Sequence, residues 1–546
     1  MKTNKSLFIA GILLVAVAVS CEKQLDIPQH GSITVEEYYK TDADAESAVA
    51  NLYSVWRGSF GDRIYLFTLL GDEVHRGGNH ATKFAPFPQL LSWTFNSGNS
   101  YVAAYYKACY KIIYAANVII GNIQDTDTPV KKQVVAEAKF FRAYAHFHLA
   151  ALWGEGVPMV DHLLNPDEYH VGNSEPGAVW SLVEKDLKDA IAVLPSKSGV
   201  DDKSLLRVSK EAAEVYLGNA YLWQKKYADA ATEYEKVIDS GKYQLWDGEF
   251  ENLTHVPANG CREKVLEAQV PNDMDNYRSN GISNGNGFWG NAGFCLDFFT
   301  QSNEAKSTFA TGNGYFPPRA SLYNAFVAEE GTDGYRLKAS IRTIDQMKEV
   351  GLNCDVDGTI LFHSDIYFNW KTRILKSDLM GTPGRNVDNQ YINFCYVRYA
   401  EVLLLAAEAE LRNPSGDRTK AENYLNQVRK RAKLSDKTGI TLDDIKTEKR
   451  LEFAFEGVRY LDLTRWQRIE GEHDAYNAMK DQDKVVYNIN VSKDQNGNVS
   501  YNKVEAVKYE GAGYQEGKHE LLPYPLEEMD VNGEGHGGTL RQNPGW

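Results

Sequence analysis

The sequence predicts a mainly α fold, a solenoid-like scaffold of helix pairs interrupted by loop-rich and small β insertions. Three observations predict it. Tyr396 to Trp466 reads as three helices with clear stops between them. Ser209 to about Gly241 carries Leu217, Gly218, Tyr221, Ala230 and Tyr234 at the L-G-x-x-Y…A…F offsets of a tetratricopeptide-type helix pair. From about 243 to 390 helical periodicity is weak, and Gly, Asn and aromatic residues crowd together.

Taken in order, the chain opens MKTNKSLFIAGILLVAVAVSC. Lys2 and Lys5 precede an apolar run from Leu7 to Val19, the length of a signal-peptide core and too short to span a bilayer. Residues 1–20 are therefore read as a signal peptide, and 21–546 as one domain. A helical pattern runs from Thr34 to about Trp56. Asp62 to Phe95 reads as a long irregular loop containing GDEVHRGGNH and FAPFP, and loops of that length are often functional. Tyr105 to Ile123 and Val130 to Trp153 form a helix pair. In the second, Val134, Ala138, Phe141, Ala145, Leu149 and Leu152 hold one stripe. A third helix covers about Val179 to Leu194, and Ser209 caps the repeat pair that follows.

In the organising stretch, about Val397 to Arg412 is apolar almost all round, as a helix buried between others must be. Asn413-Pro414 stops it. Ala421, Tyr424, Leu425, Val428 and Ala432 stripe the second helix. Thr441 with Asp444 signals a capping box for the third, whose stripe is Leu451, Ala454, Phe455 and Val458. The scaffold thus spans about 34–242 and 391–470, with insertions at about 243–390 and 471–520. In the latter, Tyr487, Ile489 and Val491 alternate, Asp494 to Asn498 signals a turn, and Val499 and Tyr501 alternate again, which predicts a hairpin.

The net charge of −15 argues against nucleic acid, which needs a basic footprint. Thirty-two Tyr and 10 Trp supply flat amphipathic side chains, as a binding surface needs. Apart from Cys21, the cysteines are Cys109, Cys261, Cys295, Cys354 and Cys395, irregularly spaced and without CxxC. Buried free thiols are the expected state. No metal or cofactor is expected. His146 and His148, two apart on a helix, face different ways. Asn353-x-Asp355-x-Asp357-Gly358 begins like a calcium loop, but its twelfth position is Ser364, so a turn is expected. Gly285-Asn-Gly-Phe-Trp-Gly290 matches G-x-G-x-x-G without the strand before it and helix after it that a dinucleotide needs. Phe288 and Trp289 in that glycine-rich stretch could present a sugar platform at a loop tip, or Trp289 could plug the loop onto the scaffold. Arg450, Glu452, Glu456, Arg459, Asp462 and Arg465 suggest helix–helix ion pairs rather than a catalytic cluster. No G-x-S-x-G or H-E-x-x-H occurs.

RYAEVLLLAAEAE followed by EKRLEFAFEGVRYLDLTRW, together with LLPYPLEEMDVN, LRQNPGW, CEKQLDIPQ and AEAKFFRAYAHFHLAALWGEGVPMV, resembles the SusD/RagB family of Bacteroidetes surface glycan-binding lipoproteins. The resemblance implies a SusD-like α-solenoid and a non-enzymatic protein that binds an oligosaccharide or polysaccharide. It further implies delivery to a SusC-like TonB-dependent transporter and a surface-exposed place on the outer membrane. Val-Ala-Val-Ser before Cys21 resembles a lipobox, which would make Cys21 the lipidated N-terminus. The resemblance also implies that the first long loop and the mid-chain insertion build the ligand surface. Candidate ligand residues are then Asp72, His75, Arg76, Trp93, Phe288, Trp289, Tyr315, Trp370 and Arg373, with Trp370 and Arg373 on an alternating, strand-like stretch. Two rival readings stay open: a secreted glycoside hydrolase, whose paired carboxylates come from distant segments, and a peptide-binding RagB-like module.

Overall fold

The computed structural model describes residues 39–78, 86–197, 207–273, 283–380 and 389–546; for 283–286 only the backbone is described. The signal-peptide reading and Cys21 lie outside the described residues. None of the described helices is long and apolar enough to cross a membrane.

Helices α1 (Asp42–Gly58) and α2 (Phe60–Leu69) open the described chain. α1 starts where it does because Thr41 and Asp44 cap each other's backbone N–H groups. Then come α3 (Ser100–Asn122), α4 (Pro129–Trp153), α5 (Ala178–Ile191), α6 (Lys210–Leu222) and α7 (Tyr227–Asp239). Each packs on the next in turn. After the insertion the stack resumes with α10 (Tyr399–Arg412), which lies against α7, and with α11 (Arg418–Arg431) against α10. The scaffold is therefore one continuous helical stack, and the insertion leaves it and returns without breaking it. Gly218 marks the repeat crossing. A Cβ there would sit 2.6 Å from the Tyr234 ring, so only glycine lets α6 and α7 approach this closely.

The insertion is closed at its neck. β1 (Lys264–Ala268) pairs antiparallel with β7 (Phe394–Arg398), tying its departing and returning chains together. Within it lie α8 (Ser283–Ala292), α9 (Ala320–Glu330) and short ladders of β2 (Thr300–Gln301) with β4 (Leu352–Asn353) and of β3 (Ile341–Thr343) with β6 (Tyr367–Asn369). The hairpin is present as β8 (Val485–Lys493) and β9 (Val499–Lys508), and β5 (Ile360–Leu361) adds to its inner edge. A second, smaller core that includes Phe294, Phe299, Phe309 and Trp370 sits under this region, apart from the main one.

Three sequence expectations need correction. The stretch expected to be irregular from Asp62 holds most of α2, because FGDRIYLFTL is mostly apolar and is buried throughout except at Asp62. The glycine-rich segment expected to be a loop tip is helix α8, which packs on α2. The third helix of the organising stretch, α12 (Leu442–Glu452), starts at its Thr441 capping box but ends before Ala454. Phe455 and Gly457 both take positive φ, 66° and 70°, and the chain restarts as α13 (Arg459–Arg465).

Candidate functional site

After α2 the chain turns and continues from Val74 to Gly78, with positive φ at Gly77 and Gly78. There it meets residues 314–319 of the insertion in antiparallel pairing, with bridges Val74–Pro318 and Gly77–Tyr315. His75 N–H donates to Pro317 O at 2.9 Å, Phe316 N–H to Arg76 O at 3.0 Å, Gly78 N–H to Gly314 O at 2.8 Å and Arg319 N–H to Glu73 O at 2.9 Å. The two segments expected to share a surface are thus physically joined. Glycine is required at Gly78, where φ is +100° and a Cβ would sit 2.7 Å from the Tyr315 ring.

His75 lies at the centre of a charged cluster. Its Nε2 is 2.7 Å from Asp365 Oδ2 and its Nδ1 3.3 Å from Asp483 Oδ1. Asp483 is gripped by both terminal nitrogens of Arg319, at 2.9 and 2.8 Å. Burial opposes the Asp365 charge, but the His75 hydrogen bond and charge hold its carboxyl well below the usual range. Four non-glycine residues of this junction have left-handed backbone: Phe316 (62°), His363 (44°), Ile366 (68°) and Asp483 (49°). For a β-branched residue such as Ile366 that conformation is a true outlier, and such strain persists only where surrounding contacts over-determine it.

Beside this cluster are aromatics that keep part of their surface. Tyr315 is half-buried over Gly78. Tyr323 and Tyr367, both half-buried, stack with centroids 4.2 Å apart at 18°. Lys503 lies 4.3 Å over the Tyr487 ring and 3.7 Å from Asp365. The cavity lined by Gly78, Phe298, Tyr315, Pro317, Ser364 and Tyr367 measures about 30 Å³, room for a water but not for a sugar ring. A ligand here would lie on the open surface.

The other candidates sit elsewhere. Asp72 is buried and fully engaged by Arg459 (2.9 and 3.2 Å) and Arg450 (3.0 Å). Burial opposes its charge, but the two guanidiniums hold its carboxyl well below the usual range. It ties the loop to α12 and α13, with both carboxylate oxygens buried and already paired. Arg76 is buried, within electrostatic reach of His363 and Tyr509. Trp93 is core, ringed by Phe95, Tyr460, Tyr514 and His519. Phe288 stacks on Phe316 and meets Tyr65 edge-on, while Trp289 is only 8% exposed within the main core. Of the two alternatives for Trp289, the plug is the one with structural contacts. Trp370 lies just past β6, buried between Arg342 and Arg373, and donates its indole N–H to Glu251 at 2.9 Å. Arg373 donates to the carbonyls of Glu251 and Trp370; burial pushes its guanidinium down to about 10. These two brace the smaller core.

Sequence reasoning missed Tyr323, Tyr367, Asp365, Asp483 and Lys503. Tyr323 stands one turn into α9, and Tyr367 is reached only through the β3–β6 ladder. No local pattern announces such a pair.

The comparisons extend over most of the chain. Residues 34–222 match a family described as starch-binding associating with outer membrane, and residues 377–546 match the SusD family. A SusD-like protein P2 of Formosa agariphila is 27% identical over 497 residues, covering 85% of this chain and 91% of its own. A SusD-like protein of Bacteroides ovatus is 25% identical over 569 residues, covering 97% and 96%. A solved laminarin binding SusD-like protein superposes with TM-score 0.75 at 25% identity, over 92% of this chain and 99% of that one. Surface glycan-binding protein A from Bacteroides thetaiotaomicron in complex with laminarihexaose, at 20% identity and TM-score 0.71, shares the fold over 92% and 100%. With both ends of the helical stack matched and the whole architecture shared, the chain belongs to the SusD/RagB family.

Proposed function

We propose that this protein is a glycan-binding lipoprotein of the bacterial cell surface. It captures an oligosaccharide at the junction of residues 74–78 and 314–319 and passes it to a SusC-like TonB-dependent transporter. Binding proceeds without bond cleavage, and Cys21 carries the lipid. The observation that carries the reading is the set of half-buried tyrosines, Tyr315, Tyr323 and Tyr367, beside Asp365 and Lys503 on a braced surface. A pyranose ring has an apolar C–H face that suits an aromatic ring and a fringe of hydroxyls that suits carboxylates, amides and ammonium groups. The laminarin and laminarihexaose named for two relatives make β-glucans the first ligands to try.

The test is a glycan panel that includes laminarihexaose, scored for retention and for released product. Retention without product is expected. Released product would return the hydrolase reading, and retention of peptides but no glycan would favour the RagB-like one. Cys21→Ala should leave the membrane fraction while staying folded, because a lipid chain supplies the membrane affinity. A variant still membrane-bound without its transporter would rule out lipidation there.

A further inference from the structure

We propose that His75 is a positioning residue, a pin that holds the tyrosine surface together in its protonated form and lets it loosen as pH rises. This deepens the glycan reading above and, for its effect on affinity, rests on it.

The geometry is that of a three-way tie. His75 belongs to the first loop, Asp365 to the segment before β6, and Asp483 to the turn before β8. Both ring nitrogens face carboxylate oxygens. Only the imidazolium has two N–H groups to donate, so only the protonated ring satisfies both contacts. Each carboxylate passes the tie on. Asp365 accepts from the backbone N–H of Ala320 at 3.0 Å, the first residue of α9, which carries Tyr323. Asp365 also lies two residues before Tyr367. Asp483 grips Arg319, which continues the strand holding Tyr315. One proton thus ties the backbone under all three tyrosines.

The charges around the ring come from every neighbouring segment. Its own loop brings Arg76, the insertion brings Arg319, the pre-β6 segment brings Asp365 and His363, β9 brings Lys503, and the pre-β8 turn brings Asp483. His363 is kept neutral, pushed down to about 4 by burial and by Arg76. For His75, burial and Arg319 act against the proton, and the two aspartates more than compensate, so its affinity for the proton is raised. A raised histidine contributes fully below its ordinary value of about 6.5 and loses that contribution as pH climbs through the raised one. Deprotonation turns one N–H···O contact into a lone pair facing a carboxylate. The left-handed His363, Ile366 and Asp483 then lose a restraint that helps hold their strain.

Hydrogen exchange of the full mature chain, corrected for intrinsic rates between about pH 6 and about pH 9, reads the pin without any ligand. Peptides spanning 74–78, 314–319 and 363–367 should lose about tenfold in protection over that range. His75→Gln, which cannot titrate, should give a flat profile. Asp365→Asn serves beside it as a second variant: it removes one carboxylate and should shift the wild-type transition to lower pH. Unchanging protection across the range in the wild type overturns the proposal, as does a pH dependence that survives His75→Gln. Calorimetry with laminarihexaose runs in parallel. Affinity should fall several-fold over the same range in the wild type and stay level in His75→Gln. Wild-type affinity that is constant with pH overturns the coupling to binding. Failure to bind any member of the glycan panel refutes the functional reading instead, while exchange still decides whether His75 is a pin.

Discussion

Arg336 Nη1 and Glu452 Oε2 meet at 3.0 Å with neither side chain exposed to solvent. The same carboxylate also pairs with Arg398 and Arg431, so three guanidiniums converge on one buried glutamate at the end of α12. Burial opposes that charge, but Arg431, Arg398 and Arg336 hold the carboxyl well below the usual range. This is a structural junction: it joins α11, α12 and β7 to the insertion, where Arg336 resides.

Glu452→Ala should therefore cost roughly 3–5 kcal/mol of stability, because it removes the buried carboxylate on which three guanidiniums converge and leaves their charge under-compensated by the remaining glutamates. Denaturant unfolding should show the loss, and the folded fraction should bind glycan as the wild type does. An unchanged unfolding midpoint with collapsed affinity would make this junction a ligand site.

Gly218→Ala should destabilise by about 1–3 kcal/mol, the cost of overpacking a tight crossing. The added Cβ would press on Tyr234, whose hydroxyl donates to Asn219 at 2.7 Å and which has nowhere to move. A thermal melt checks it, and an unshifted melt would mean that the helix pair can separate freely.

Glu73 supplies a pH test. Burial, then the neighbouring Asp72 charge, raises its carboxyl to about 8, against the pull of Arg459 and Arg450. A carboxyl raised on folding makes the folded state bind more protons than the unfolded one, so stability falls as pH rises from about 4.3 towards that value. Glu73→Gln mimics the protonated form. It should match the wild type in acid and exceed it above about pH 8. Parallel denaturation curves at both ends of the range would refute this.

Tyr367→Ala and Trp289→Ala should separate cleanly. Tyr367 stacks on Tyr323 at the surface, and its loss should reduce glycan affinity by about 1–2 kcal/mol with a small effect on stability. Trp289 packs in the core, and its loss should cost about 3–5 kcal/mol of folding stability while leaving affinity in folded protein intact. Calorimetry beside a thermal melt reads both, and the reverse pattern would move the site to α8.

Local chemistry in the sequence determined much of this protein. The Leu217-Gly218-Tyr221 spacing, the Thr441–Asp444 capping box, the apolar α10 and the alternation of β8 and β9 each carry their own structure, because capping, periodicity and close approach act within one or two turns of chain. Two of the blocks that resemble the SusD/RagB family, RYAEVLLLAAEAE and EKRLEFAFEGVRYLDLTRW, lie on or begin in α10 and α12. Only the tertiary structure brings together the surface proposed to bind glycan. Trp93, Trp289 and Trp370 are candidate ligand residues in sequence, yet each fills a core, since burial depends on what the rest of the chain brings against a ring. Asp72 resembles a hydroxyl partner until α12 and α13 supply Arg450 and Arg459. Tyr323 and Tyr367 carry no signal individually and become a stacked pair only through the β3–β6 ladder. His75 gains its meaning from Asp365 and Asp483, nearly 300 and just over 400 residues away in sequence. No periodicity spans such distances, and the contacts that define a surface are made only when the whole stack has closed.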